Sequence, residues 1–398
     1  MEWLNLGAIA LFSIIWVELV RDTYHLLSHF WKPLYRLHRI HHQVFRPDLE
    51  VVDQQLYRRS QWQNDVPECG VMLLGSVLPW VVVSHWVALT GTVYTLGFLL
   101  GAIARGSGLA YADELTDLTH RPGEFTTIPG QWRVNRPYHW RHHFDSQKAY
   151  YCSTFTFVDK LVGTALSLKG KRVAVTGASG TLGKALLAAL RDRGAKVTGI
   201  TSKADPIFLD DQTSINTITW EVGKEQEIAE ALESIDILIL NHGINVHGER
   251  TEAAIDKSYE VNAFSSWRLL EQFLTTIRNN EDKVRKEIWV NTSEAEVSPA
   301  LSPLYELSKR TLGDLVTLRR LDAPCVIRKI ILGPFKSNLN PIGVMSASWV
   351  AKQIVNFAVR DFRNIIVTVN PLTYLLVPIK ELFVATYFKL FTQGQKQN

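Results

Sequence analysis

His38-Arg39-Ile40-His41-His42 decides how the first part of this chain is built. The pattern, H-x-x-H-H, returns as His139-Trp140-Arg141-His142-His143, and His25-Leu26-Leu27-Ser28-His29 stands upstream as H-x-x-x-H. On a helix, positions i, i+3 and i+4 share one face, because 3.6 residues complete a turn. Each set is therefore expected to aim its imidazoles in one direction, which a metal needs and an apolar core does not. A single histidine is more often an ordinary core or surface group. Here eight of the 12 histidines fall inside three short sets, which makes chance the weaker account. Eight imidazoles exceed the ligand set of one tetrahedral zinc, so two metals sharing a cluster are expected. Imidazole suits Zn, Cu, Fe and Ni alike and does not choose among them. His120 is a ninth candidate ligand, with a plain surface histidine as the alternative. His85, inside an apolar run, is read as structural.

Around these sets the chain is apolar. Residues 3–20 form an almost uncharged run, long enough at 1.5 Å per residue to cross a bilayer. A secretory signal is the alternative, but the run has no basic start and leads directly into His25. Residues 71–89 form a second run. Thr90-Gly91-Thr92 is a turn signal, and residues 93–104 form a third run, short for a span. It reads either as a re-entrant arm or as a helix extended to residue 112. Histidines at 25–42 and 139–143 share a site only if an even number of crossings separates them, which a hairpin of the last two runs supplies. Arg21, Lys32, Arg36, Arg39, Arg46, Arg58 and Arg59 all lie between the first and second runs. The positive-inside rule then predicts about three spans, the N-terminus outside, and the histidines in the cytosol.

At 398 residues two domains are the natural expectation. A net charge of +4 gives no case for nucleic acid. Cys69, Cys152 and Cys325 are widely separated, which argues against a disulfide framework or a cysteine-bound zinc.

The second half changes texture. Arg172-Val173-Ala174-Val175 reads as a strand and runs into Thr176-Gly177-Ala178-Ser179-Gly180-Thr181-Leu182-Gly183. Strand, glycine turn and helix in that order let a backbone approach a pyrophosphate seated on a helix N-terminus. A second strand ends in Thr201-Ser202-Lys203, where an acid would bind the ribose of NAD. A hydroxyl and a cation there favour the 2′-phosphate of NADP. Tyr305 and Lys309 share a helix face at i, i+4, so the cation is expected to lower the phenol pKa and ready it for proton transfer. Ser293, at a strand end, reaches the same oxygen. Residues 372–391 are strongly apolar and read equally as a packing helix or as an amphipathic helix on a membrane.

The histidine spacing, together with Pro137-Tyr138-His139-Trp140-Arg141-His142-His143-Phe144 and Phe157-Val158-Asp159-Lys160-Leu161-Val162-Gly163-Thr164, resembles the sterol desaturase/fatty acid hydroxylase superfamily over about residues 1–165. The resemblance implies two Fe ions held by His25, His29, His38, His41, His42, His120, His139, His142 and His143, activation of O₂, and hydroxylation or desaturation of a lipid or sterol-like substrate. His120-Arg121-Pro122-Gly123 does not match the H-P-G-G of a fused cytochrome b5. An external donor, a ferredoxin or a cytochrome b5 type with its reductase, is expected instead.

From the glycine loop to the tail, about residues 169–391, the order of motifs resembles the short-chain dehydrogenase/reductase family. That resemblance assigns Asn262, Ser293, Tyr305 and Lys309 as a catalytic tetrad and Gly177, Gly180 and Gly183 as the phosphate loop. Glu221 and Val222 would flank adenine. Asn241-His242-Gly243 matches the family's N-A-G with His242 in place of alanine. Gly333, Pro334 and Ser337 belong to the segment that closes over the nicotinamide. The whole resembles bifunctional sterol desaturase/short-chain dehydrogenases. The expected fold is an α-helical integral-membrane histidine-cluster domain over 1–166, then an α/β Rossmann domain, a doubly wound parallel sheet, over 169–391. The expected function is a lipid-modifying oxidoreductase in which hydroxylation feeds an NADP-dependent alcohol/carbonyl step. Two uncoupled activities, or a metal-holding anchor without oxygen chemistry, are the alternatives.

Overall fold

The computed structural model describes residues 2–394. The chain divides into two compact units, Met1–Leu166 and Ser167–Asn398.

In the first unit, three helical stretches among the described residues are long and apolar enough to cross a membrane: Glu2–Phe30, Gln54–Val83 and Trp86–Gly106. Their outward positions are large and apolar, including Leu4, Leu74, Val82 and Val93. Their mutual contacts are small and polar. Ser76 and Thr92 hydroxyls meet at 2.9 Å, and the Gly91 N–H donates to Ser13 Oγ at 3.1 Å. This inversion is what lipid as solvent favours, since packing of small residues rather than hydrophobicity draws spans together.

The hairpin differs from its expected form. The chain reverses at Ser84-His85, not at residues 90–92. Ser84 adopts φ 52, ending the helix Val66–Val83. His85 lies in this reversal rather than mid-span, and its Nδ1 accepts from Val87 N–H at 3.2 Å. Gly91 sits within a helix, because a Cβ there would stand 2.7 Å from the Ser13 carbonyl oxygen. Close helix approach, not a turn, is what this glycine serves. The third span therefore gains length upstream, from Trp86, and ends at Gly106 rather than at residue 112.

The second unit is built on one sheet. Its strands are β1 (Arg172–Thr176), β2 (Lys196–Thr201), β3 (Ile207–Phe208), β4 (Ser214–Thr219), β5 (Ile237–Leu240), β6 (Glu287–Ser293), β7 (Val326–Leu332) and β8 (Asn364–Val367), in spatial order β3-β4-β2-β1-β5-β6-β7-β8. All pairs are parallel except β3 with β4. Strands β5, β6 and β7 are buried along their whole length, as a parallel sheet covered on both faces requires; β5 is a continuous apolar run, whereas the buried Glu287 of β6 and Arg328 and Lys329 of β7 are held in ion pairs. On one face Leu238, Leu240, Ile288 and Val290 pack under Leu269, Phe273, Leu312 and Val316 of two helices. β1 pairs with β2 on one side and β5 on the other. Strand order reverses there, which opens a crevice at the carboxyl ends of the strands.

Candidate functional site

The nine candidate histidines come together in the first unit. Eight of them form two groups that could hold metal ions, His25, His29, His38 and His142, and His41, His120, His139 and His143, and His42 is the ninth, beside the first group. The expectation that each H-x-x-H-H points one way is corrected. His139 and His143 join one group while His142, between them, joins the other. His38 and His41 divide likewise, and His42 Nε2 lies 3.0 Å from His38 Nε2. The reason is local. His38 ends its helix and His41–Gln43 is a 3₁₀ turn; His142 and His143 lie in a π turn, Arg141–Asp145. Adjacent residues on a helical path are about 100° apart, so neighbours must aim at different points.

The ring nitrogens fit a cation better than they fit one another. Nε2 atoms of His120, His139 and His143 form a triangle with sides of 3.0, 3.1 and 3.2 Å. Second partners fix the proton on the far nitrogen of three rings. His38 Nδ1 faces Asn64 Oδ1 at 2.8 Å, His142 Nδ1 faces the Ala149 carbonyl at 2.8 Å, and His120 Nδ1 faces Asp117 Oδ1 at 2.6 Å. A proton held on Nδ1 leaves the Nε2 lone pair free for a metal. Burial is the first cause that holds His38, His41, His42, His139 and His143 below the ordinary imidazole range, and it takes His142 to about 3. Neutral imidazole is the ligating form. The buried Nε2 of His29 has no hydrogen-bond partner among the described residues.

Asp159 explains the segment that follows the third histidine set. Its carboxylate accepts from Tyr138 Oη at 2.8 Å, Thr164 Oγ1 at 2.6 Å, and the backbone N–H of Tyr151 and Cys152 at 2.9 Å each. It thus ties residues 149–152, including the carbonyl that orients His142, to residues 159–164. Spacing did not point to Asn64. Asp117, three residues before His120, was the findable one.

In the second unit a cavity of about 460 Å³ opens at the crevice beside β1. Of the residues expected at a dinucleotide, Gly177, Ser179, Gly180, Thr181, Leu182, Gly183, Thr201, Ser202, Val222, Asn241, His242, Gly243 and Ser337 line it. Thr176, Lys203, Glu221, Tyr305, Lys309, Gly333 and Pro334 are not among its walls, whereas Phe335 of the expected closing segment is, and so are Trp220, Ile244 and Leu339, which motif reading missed. The glycines are required. A Cβ at Gly183 would stand 2.3 Å from the Gly177 carbonyl oxygen, and Gly177 has φ +63. Helix Thr181–Asp192 begins at this loop, so unsatisfied N–H groups face the cavity. A nucleotide pyrophosphate fits that cradle. Thr176 acts from beneath. Its Oγ1 accepts from Asn241 N–H at 2.8 Å and meets His242 Nδ1 at 2.8 Å. Burial takes His242 to about 3, so it is a neutral latch between the ends of β1 and β5.

The four residues expected as a tetrad, Asn262, Ser293, Tyr305 and Lys309, lie near the same strand ends. Asn262 lies in a π turn, Glu260–Phe264, and its amide bonds both ways to Ile244, accepting at 2.8 Å and donating at 3.0 Å. Lys309 Nζ donates to the Asn291 carbonyl at 3.2 Å and lies 6.0 Å from the Tyr305 ring centre. The expected lowering of the phenol is not found. Burial pushes Tyr305 up, offset in part by a hydrogen bond with Ser293, and burial takes Lys309 down to about 8. Desolvation of the phenol outweighs the Ser293 hydrogen bond, while the Lys309 ammonium is held by a backbone carbonyl.

Comparison with known proteins matches residues 171–323 to the short chain dehydrogenase family. Over 406 aligned positions the chain is 57% identical to monoglucosyldiacylglycerol epimerase of Synechocystis sp., covering 99% of both proteins. Among solved structures, a short chain dehydrogenase from Burkholderia cenocepacia in complex with NADP is 18% identical, covers 57% of this chain and 100% of its own, and superposes with a TM-score of 0.44. Ligand-free aldohexose dehydrogenase of Thermoplasma acidophilum is 16% identical, with 51% and 93% covered and a TM-score of 0.41.

Proposed function

The chain belongs to the family of the Synechocystis monoglucosyldiacylglycerol epimerase, and from that membership we propose that residues 169–391 invert one carbinol carbon of a glycosyl diacylglycerol. The full-length identity carries this reading, with the short-chain dehydrogenase domain supplying the means. A sugar carbinol carbon with no adjacent carbonyl has no acidic C–H, so proton abstraction cannot invert it. Loss of that hydrogen as hydride, with the hydroxyl proton passing to a base, leaves a ketone. Return of both to the opposite face gives the epimer with no net oxidation. The domain implies a nicotinamide dinucleotide, which when bound supplies the acceptor and then the donor of that hydride.

The chain's own residues do the rest. Tyr305 takes up and returns the hydroxyl proton, and Ser293 hydrogen-bonds the same oxygen. Lys309 keeps positive charge beside the phenol, and Asn262 holds the loop after β5. Hydride leaves and returns on one side of the site, so the ketone must turn over between the two transfers. Tyr305 and Ser293 hold its oxygen as the pivot. Thr201, Ser202 and Lys203 favour NADP(H) over NAD(H).

Residues 1–166 form, in the same reading, a membrane unit whose nine imidazoles hold a metal pair, iron as the resemblance implies. Loaded with a redox metal, such a site supplies O₂ activation toward a lipid C–H bond and draws electrons from an external donor. The basic residues at 21–59 support an orientation with the cluster on the cytosolic side and the N-terminus outside. Epimerisation needs neither O₂ nor electrons, so assay separates the two chemistries. Full-length protein in vesicles is given glucosyl diacylglycerol deuterated at the sugar carbinol positions, under argon and in air. We expect epimer under both, with deuterium retained, and a loss of about 10²–10⁴-fold in Tyr305→Phe. Epimer that forms only in air, or an undiminished Tyr305→Phe, rejects the assignment.

A further inference from the structure

The helix Pro371–Phe391 is built the wrong way round for water. Its buried residues are Thr373, Val377 and Glu381, one line at i, i+4 and i+8. Thr373 Oγ1 donates to Glu294 Oε2 at 3.2 Å, beside Ser293. Glu381 accepts from Lys329 Nζ at 2.5 Å and lies 3.6 Å from Arg320. Lys380 pairs with Glu296 at 2.8 Å. Apart from Thr386 and Lys389, the remaining circumference is apolar. Leu375, Leu382, Phe383, Tyr387, Leu390 and Phe391 are each between 58% and 74% exposed.

The helix cannot roll to hide these side chains. Rolling would strip the buried Glu381 carboxylate from both of its cations, Lys329 and Arg320, and leave Lys329 with Glu296 alone. A soluble domain does not carry so large an apolar surface without a covering. A protein partner covers a stripe of a helix, whereas here large apolar side chains stand on all sides of the buried line, which a fluid phase covers. The chain's three membrane-competent helices keep a bilayer within reach of this unit by covalent connection. Tyr387 and Lys389, both exposed, supply the interfacial chemistry that anchors helices at headgroup level.

We propose that Pro371–Phe391 lies in the surface layer of a lipid bilayer and docks the second unit there. The helix starts just after β8, at the carboxyl edge of the sheet, and its first turn touches Glu294 next to Ser293. Docking through it brings the catalytic edge to the headgroup layer, where the sugar of a membrane glycolipid stands. The functional arm below rests on the epimerase reading; the labelling arm does not.

The test uses full-length protein in vesicles of phosphatidylcholine and phosphatidylglycerol. Nitroxides are placed through Leu375→Cys, Phe383→Cys and Leu390→Cys, with Glu227→Cys as an exposed control. We expect the ratio of oxygen to nickel-chelate collisions at the three helix positions to exceed the control by about tenfold. Equal ratios, or strong spin–spin broadening that reports a second copy on this face, overturn the proposal. In the second arm, Leu382→Asp with Phe383→Asp is expected to lower turnover of long-chain glucosyl diacylglycerol about tenfold and to spare a short-chain, water-soluble analogue. Equal loss on both substrates overturns docking. If the unsubstituted protein turns over neither substrate, the catalytic reading fails and the labels still decide the docking.

Discussion

Asp159→Asn tests whether the segment after the third histidine set is a support for the metal ligands. Asp159 is fully buried, and four donors converge on its two oxygens. Oδ1 serves Tyr151 N–H and Thr164 Oγ1, and Oδ2 serves Tyr138 Oη and Cys152 N–H. An amide keeps one oxygen and sets an NH₂ against two donors. Two bonds to a charged acceptor are lost at about 1.5–3 kcal/mol each, so the expected cost is about 3–6 kcal/mol. For a unit of this size that lowers the melting temperature by on the order of 10 °C. The Ala149 carbonyl that orients His142 belongs to the segment released, so metal retention should fall with stability. Asp22→Asn is the control, because Asp22 accepts from the Ser153 N–H through one oxygen, which an amide preserves. Thermal unfolding and metal content of the full chain in lipid nanodiscs measure both effects. An Asp159→Asn protein that melts with the unsubstituted one, or an Asp22→Asn protein that falls as far, refutes the reasoning.

Three further outcomes follow from the same geometry. Asp117→Ala removes the acceptor on His120 Nδ1, and metal affinity should drop about 10–100-fold in competition with a chelator, while His85→Ala leaves it unchanged. Gly183→Ala forces a Cβ onto the Gly177 carbonyl, and NADPH binding followed by fluorescence should weaken at least about tenfold. Lys309 is depressed to about 8, so its charge, and with it the proposed epimerase activity, should fall as pH rises through that value. Over the same rise its own effect on stability is favourable. Between about 8 and the unfolded value of 10.5 the unfolded state binds the extra proton, and stability increases with pH. Activity lost in step with unfolding would count against Lys309 as the titrating group.

Much of the architecture was legible in the sequence because it depends on local rules. Apolar runs of spanning length gave three membrane-competent helices, and the glycine loop after β1 with Tyr305 and Lys309 at i, i+4 gave the Rossmann unit. The hairpin turn was misjudged because glycine has two uses. Gly91 reads as a turn residue, but only the presence of Ser13 beside it reveals a helix contact. Trp220, Ile244 and Leu339 at the nucleotide cavity carry no motif, since an apolar wall accepts many side chains and leaves no fixed spacing.

The sequence by itself determined which imidazoles would gather, because histidine sets at helical spacing survive in any reading of the chain. Tertiary structure alone decided how they are shared. Helix ends at His38 and Trp140 pass into 3₁₀ and π turns, and a rotation of about 100° per residue sends neighbouring rings to different centres. It alone decided, too, that Tyr305 is raised rather than lowered, because burial and the reach of an ammonium are properties of packed volume, not of spacing along a chain.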